Sequence, residues 1–246
     1  MFTVEERERI RDRIVQMSRE DKRLIAGALI GSTVAGGDRW SDLDLTFGLA
    51  DPVALDDVLA DWKSRLASEF GAVHLMDLPF LSTVYGVFLL PNNLQVDLSF
   101  TPGNEFLARG LKFRPLFGDP RERDQAKPSS PEHVFGLAVV YLLHARACIA
   151  RGRLWEAEYC ISAARDQALS LACQHRGLKT GYGRGFDDLP PETLQQFTRI
   201  LVGSLEKTQL LQALGRCIEA LLSNSEDVSE LASRIESQLR ELKSTQ

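Results

Sequence analysis

Five residues in the first hundred have the types and spacing for metal-assisted phosphate chemistry. Gly31-Ser32 closes a short apolar run. Ten residues after Ser32 comes Asp42-Leu43-Asp44, and much later Asp97 stands in Gln95-Val96-Asp97-Leu98-Ser99. Side chains alternate faces along a strand, so Asp42 and Asp44 share one face while Leu43 and Leu45 turn to the core. By the same rule Asp97 points opposite to Leu94, Val96, Leu98 and Phe100. Three carboxylates on one open face of a sheet repel each other unless cations neutralise them. Two Mg²⁺ ions would do so, because Mg²⁺ favours oxygen ligands, few protein contacts and bridging phosphates. One ion would activate an attacking hydroxyl in line with an α-phosphorus, and the other would hold the triphosphate and the leaving pyrophosphate. Gly31, without a side chain, would let backbone amides approach the phosphates. The Ser32 hydroxyl would bind their oxygens, helped by a helix start in the residues that follow.

These residues need a sheet to bring them together, and the first half of the chain supplies the pattern for one. Thr3-Val4-Glu5-Glu6 predicts a capping box that opens a helix with an apolar stripe of Ile10, Ile14 and Met17. Leu24 to Ile30 predicts a buried strand, and Asp42 to Phe47 a half-buried one. Asp51-Pro52 predicts a helix start, with the helix reaching about Phe70 and ending at Gly71. Ala72 to Met76, Thr83 to Leu90 and Leu94 to Phe100 predict three further strands, the last two flanking a Pro91-Asn92-Asn93 turn.

The texture changes near residue 128. Asp119 to Ser130, rich in charge, Pro and Ser, predicts a linker. Ser130-Pro131-Glu132 opens a helix to about Ala150, interrupted by Gly152. Further helices are expected over Leu154 to His175, after Pro190-Pro191, and over a segment with Leu210, Leu214, Cys217, Ile218 and Leu221 on one face. A polar helix closes the chain. The expected fold class is α+β, a small mixed sheet with flanking helices over residues 1–128 followed by an all-α bundle over 129–246.

Taken together, Gly31-Ser32, Asp42-Leu43-Asp44-Leu45 and Asp97 resemble the signature of the polymerase-β-like nucleotidyltransferase superfamily. With a helical region following, the chain is similar to the antibiotic nucleotidyltransferases that act on aminoglycosides or lincosamides. The motifs cover residues 24 to 100, and architecture alone covers the rest. The resemblance implies that Asp42 and Asp44 bind both Mg²⁺ ions, that Asp97 binds the catalytic one, and that Gly31 and Ser32 hold phosphate. It further implies transfer of a nucleoside monophosphate, AMP by analogy, to a small-molecule hydroxyl. Residues 1–128 would then be the catalytic domain and 129–246 the acceptor-binding one, with the acceptor in a cleft between them. Many relatives carry an Arg just after Gly-Ser, whereas Thr33-Val34-Ala35-Gly36-Gly37 has none. The glycine-rich basic run from Lys179 to Arg184 could supply a cation, which makes Arg184 a nucleotide-binding candidate, with Tyr182 stacking on a base. Glu132, Glu156 and Asp166 are each candidates for a general base, although a solvated helix acid is the plainer reading.

Composition sets the remaining bounds. A net charge of -5 argues against duplex nucleic acid held by a broad basic surface. It leaves room for a nucleotide, which needs only local cations and metal. No targeting signal is evident at the start, and no run of about 18 apolar residues predicts a membrane span. The four cysteines form no CxxC pair and read as buried thiols in a reducing cytoplasm. His144 and Trp155 read as helix-packing residues. A homo-oligomer is compatible with the sequence. Two other functions fit the same motif. One is a protein- or RNA-modifying nucleotidyltransferase of the toxin–antitoxin type. The other is a non-enzymatic nucleotide sensor, which the presence of all three acids disfavours.

Overall fold

A computed structural model describes residues 1–108, 112–122 and 129–243. The chain divides into two compact units, Met1–Ala126 and Lys127–Gln246. A mixed sheet occupies the first and helices dominate the second, which is the expected α+β class. Half of the expected linker, residues 123–128, lies outside the described residues.

In the first unit, helix α1 (Val4–Glu20) begins where its capping box requires. The Thr3 hydroxyl accepts from the Glu6 amide, and the Glu6 carboxylate accepts from the Thr3 amide at 2.8 Å. Strands β1 (Leu24–Ile30) and β2 (Leu43–Leu49) follow, then helix α2 (Leu55–Phe70). The Asp51-Pro52 expectation fails at this point. That bond is a cis peptide in the turn before the helix, and α2 starts three residues later, with Ala54 at its N-cap position and no side-chain cap. Gly71 ends α2 with φ 64°, as expected. Strands β3 (Val73–Phe80), β4 (Thr83–Leu89) and β5 (Gln95–Pro102) form a meander. β3 runs four residues past its expected end, because pairing with β4 carries it through Pro79 to Phe80. Short β6 (Leu107–Ala108) pairs in parallel with β8 (Arg121–Glu122), and β7 (Phe113–Phe117), which only weak alternation announces, pairs with β1.

The six-stranded sheet has the order β3-β4-β5-β2-β1-β7, with β2 and β5 parallel and the other pairs antiparallel. The helix-packed core takes Leu43, Leu45 and Phe47 from β2 and Val96, Leu98 and Phe100 from β5, all fully buried. Trp62 of α2 stacks on Phe47 at 5.7 Å and meets Phe100 at 6.0 Å. Aromatic pairs of this kind add roughly 0.5–1.5 kcal/mol beyond the burial of their area. The Trp62 indole N–H would be costly to bury alone, and it donates to Asp21 at 3.0 Å. Because residues two apart share a face, this apolar packing leaves Asp44, Thr46, Asp97, Ser99 and Thr101 on the opposite side of the sheet.

The second unit is built on helices α3 (Pro131–Ala150) and α4 (Leu154–His175), joined by a turn in which Gly152 takes φ 72°. The Ser130 hydroxyl caps α3 by accepting from the His133 amide, with Pro131 in the first turn. Helices α5 (Pro191–Thr198), α6 (Lys207–Ser223) and α7 (Ser229–Glu241) complete it, and α6 buries Leu210, Leu214, Cys217, Ile218 and Leu221 as its periodicity requires. The four cysteines are buried free thiols. Burial raises each thiol pKa, that of Cys217 to about 12. Two expectations are corrected: Trp155 is 76% exposed, and His144 also faces solvent. Helix α3, with mean hydropathy 1.6, is long and apolar enough to cross a membrane by length and composition, although His144 and Arg146 keep it short of an unbroken run of about 18 apolar residues. Its buried residues Phe135, Ala138, Leu142 and Ala145 are part of this unit's core.

Candidate active site

Parallel pairing of β2 with β5 sets Asp44 directly opposite Asp97. Asp42 enters just before β2 begins. Oxygen atoms from the three carboxylates lie within 4.8 Å of one another, and all three residues are half-buried. The alternation that buries Leu43, Leu45, Val96 and Leu98 is thus the same feature that gathers the acids. Burial pushes the Asp97 carboxyl above the ordinary aspartate value. The Gln95 amide, 3.1 Å from both its oxygens, opposes that rise, and the Asp42 charge adds to it. Such a cluster has the donor set of a hard divalent cation: oxygen only, negative, and open on one side.

Gly31 and Ser32 abut this cluster. Gly31 adopts φ 75° and ψ −150°, and a Cβ placed on it would lie 2.2 Å from Asp44 Oδ2. Only glycine fits there, on both backbone and contact grounds. The helix expected after Ser32 is a single 3₁₀ turn, Ser32–Ala35, ended by Gly36 with φ 97°. The Ser32 hydroxyl oxygen is buried without a hydrogen-bond partner among the described residues. A buried hydroxyl left unpaired costs about 1–3 kcal/mol, so its position beside three acids suits a ligand oxygen or a metal's water shell.

The loop from Gly36 to Ser41, which delivers the chain to Asp42, is held from within. Asp38 accepts from the Trp40 amide at 2.9 Å, and its own amide donates to Ser41 Oγ at 3.0 Å. Arg7 of α1 is fully buried beneath this loop. Its guanidinium donates to the carbonyls of Asp38, Ser41 (3.3 Å) and Gly36 (3.1 Å). Sequence reasoning missed Arg7, because an Arg in the charged face of a helix reads as solvated. Its one signal was its place in the apolar stripe, three residues before Ile10 and seven before Ile14. Arg39 and Trp40 were also missed. Both are exposed in this loop, with the Arg39 guanidinium 4.5 Å from the Trp40 ring centre.

The remaining candidates are not part of this cluster. Arg184 belongs to the second unit, where it is exposed and lies over the Tyr182 ring at 5.5 Å. Tyr182 itself takes φ 56° and is 97% exposed. Glu156 pairs with Arg153 and Asp166 with Arg165, while Glu132 is exposed at the start of α3.

No family model matches this sequence, and no curated protein matches it. Among solved structures, an aminoglycoside 6-adenyltransferase from Bacillus subtilis is similar over 100% of both chains, with 12% sequence identity and a TM-score of 0.41.

Proposed function

We propose that this chain is a nucleotidyltransferase that moves a nucleoside monophosphate from a nucleoside triphosphate to the hydroxyl of a small-molecule acceptor, releasing pyrophosphate. The observation that carries the reading is the convergence of Asp42, Asp44 and Asp97 within 4.8 Å beside the unpartnered Ser32 hydroxyl. Structural acids on a solvated sheet edge have no reason to meet a buried orphan donor and a glycine that only glycine can replace.

In this reading Asp42, Asp44 and Asp97 hold two Mg²⁺ ions. When bound, the ions supply charge neutralisation at the phosphates and acidification of the acceptor hydroxyl. The chain's own residues do the rest. Ser32 Oγ donates to a phosphate oxygen, and the absent side chain at Gly31 leaves room for the Asp44 carboxylate to stand against the end of β1 in the cluster. Arg7 and the Asp38–Ser41 hydrogen bonds keep Asp42 in place, since catalytic ligands must be held to within about 0.5 Å. The acceptor oxygen forms a bond to the α-phosphorus as the α–β bridging bond breaks. Its electron pair leaves with pyrophosphate, and the acceptor proton passes through the carboxylate cluster to water. Arg184 is assigned to nucleotide binding on its charge and its glycine-rich turn. Residues 1–128 are assigned the chemistry, and residues 129–246 the outer part of acceptor recognition. AMP is the group we assign to transfer.

The test is calorimetric titration with each nucleoside triphosphate in Mg²⁺ and in excess chelator, followed by α-labelled triphosphate with pooled small-molecule acceptors and cell extract. Metal-dependent binding and label on a small molecule are expected. Equal affinity in chelator would refute the metal site, and label on a macromolecule would move the acceptor to protein or RNA.

A further inference from the structure

Part of the loop before Asp42 adds nothing to the fold, and the way it is held indicates what it grips. The Ser41 amide donates to the Asp38 carbonyl at 3.2 Å, which closes a β-turn with Arg39 and Trp40 at its tip. Both ends of that turn are fixed. The buried Arg7 guanidinium donates to the carbonyls of Asp38 and Ser41. The Asp38 carboxylate accepts from the Trp40 amide and from the Ser41 hydroxyl, the latter at 3.1 Å. The tip, in contrast, is left to solvent. Turn tips favour Gly, Asn, Asp and Pro, which suit the backbone there. A Trp and an Arg in those places bring nothing to the turn, yet a buried guanidinium is spent on holding it still. The Arg39 guanidinium lies over one face of the indole, 4.5 Å from the ring centre, and Trp40 is still 64% exposed. The opposite face of the ring is therefore the open one.

Trp40 precedes Asp42 by two residues, so their Cα atoms lie at most about 7 Å apart. On the function proposed above, the ions on Asp42, Asp44 and Asp97 hold the α-phosphate, and the base of a nucleotide hangs a comparable distance from that group. A flat ring fixed beside the metal site, with one face open and a cation on the other, fits the π-face of a nucleobase. The guanidinium sets the plane of the ring and adds positive charge where a triphosphate arrives. Stacking of this kind needs only a π-face and is therefore tolerant of base identity. We infer that Trp40 is the stacking platform for the nucleobase of the donor triphosphate, oriented by Arg39, and that it grips the face of the base and not its edges. One turn then serves two tasks: Ser41 hands the chain to the metal ligand Asp42, and the tip receives the base.

This inference rests on the nucleotidyltransferase reading, and the experiment separates the two. Calorimetry in Mg²⁺ compares ATP, GTP and methyl triphosphate, which has the ester triphosphate of a nucleotide without ribose or base. Wild-type protein is expected to bind all three, the nucleotides more tightly. Trp40→Ala should weaken ATP and GTP by about 5- to 150-fold, by the same factor for both, and leave methyl triphosphate unchanged. Trp40→Phe keeps a ring and should hold both nucleotides within about threefold of wild type. If Trp40→Ala does not fold, Trp40→Gln is measured in its place with the same expectation. The inference is overturned if wild type binds the nucleotides no more tightly than methyl triphosphate, or if the folded variant binds ATP as wild type does. It is equally overturned if the variant loses only one nucleotide, or loses methyl triphosphate in the same measure, since Trp40 would then serve base edges or the metal site. Failure of wild type to bind any of the three in Mg²⁺ overturns the nucleotidyltransferase reading instead.

Discussion

Replacing Gly31 with alanine tests the site through one methyl group. The backbone there, φ 75° and ψ −150°, falls in a region open essentially to glycine alone. Forcing an L-residue into it costs about 1–3 kcal/mol. The new Cβ would lie 2.2 Å from Asp44 Oδ2, whereas ordinary contact begins near 3.4 Å. The carboxylate must therefore withdraw by roughly 1 Å, several times the tolerance of about 0.2 Å that metal–ligand distances allow. Two effects follow from a single substitution. The first unit should lose about 1–3 kcal/mol of stability, seen as a fall of roughly 4–12 °C in its melting temperature. Its Mn²⁺ affinity should fall by about 10- to 100-fold, as when a ligand's supporting contacts are removed. Mn²⁺ electron paramagnetic resonance counts the free ion, and circular dichroism follows melting. The double variant Gly31→Ala/Asp44→Ala separates the terms: without the carboxylate the clash disappears, so part of the stability loss should be recovered while metal affinity stays low. Wild-type Mn²⁺ affinity in Gly31→Ala would refute the argument, because the Cβ would then have displaced nothing that binds metal.

Other substitutions probe the remaining parts. Asp97→Asn should leave triphosphate binding near wild type while label transfer collapses, and Asp44→Asn should damage both; near-normal turnover in Asp97→Asn, measured under saturating Mg²⁺, would remove Asp97 from the site. Arg7→Met strands three loop carbonyls around a buried methyl, so denaturant unfolding should show a loss of about 2–4 kcal/mol, partly restored by Arg7→Lys, with weakened Mn²⁺ binding in the fraction that remains folded. Burial alone would raise Asp21, but bonds from Arg23 and the Trp62 indole hold it below its ordinary 3.8. A depressed carboxylate stabilises the fold above its unfolded pKa and loses that contribution as pH falls through the folded one, so stability should decline below about pH 5, and less so in Asp21→Asn. Arg184→Ala should lower triphosphate affinity several-fold without changing the melting temperature; unchanged affinity would return Lys179 to Arg184 to a plain surface turn.

Much of the first unit was legible because its signals are local. The Thr3–Glu6 capping box, Gly71 at the end of α2, and the alternation of Leu43, Asp44 and Leu45 each follow from neighbours within four residues. The second unit was legible for the same reason: Ser130-Pro131 starts α3, and the stripe on α6 sets which of its residues are buried. The failures share an opposite cause. Asp51-Pro52 has the local chemistry of a helix start, yet the chain must first turn out of β2, so the helix waits until Leu55. β7 carries only weak alternation in Phe113-Arg114-Pro115-Leu116-Phe117 and exists because β1 offers it an edge. Trp155 reads as a helix-packing residue, but its position on α4 turns it outward to 76% exposure.

The site divides along the same line. That Asp42, Asp44 and Asp97 share a face can be deduced from alternation alone, but that they meet depends on β2 and β5 being parallel neighbours in a register that pairs Asp44 with Asp97. A slip of one residue would send Asp97 into the core beside Leu43 and place Leu98 opposite Asp44. What fixes that register is the apolar layer on the other face, where Phe47, Phe100 and Trp62 pack together. The acids are therefore aligned by residues that never touch them. The same reasoning explains why the hydroxyl layer beyond the acids could not be read in advance. Thr46, Ser99, Thr83 and Thr101 are single hydroxyls scattered over three strands, and only the register turns them into two bonded pairs on one face.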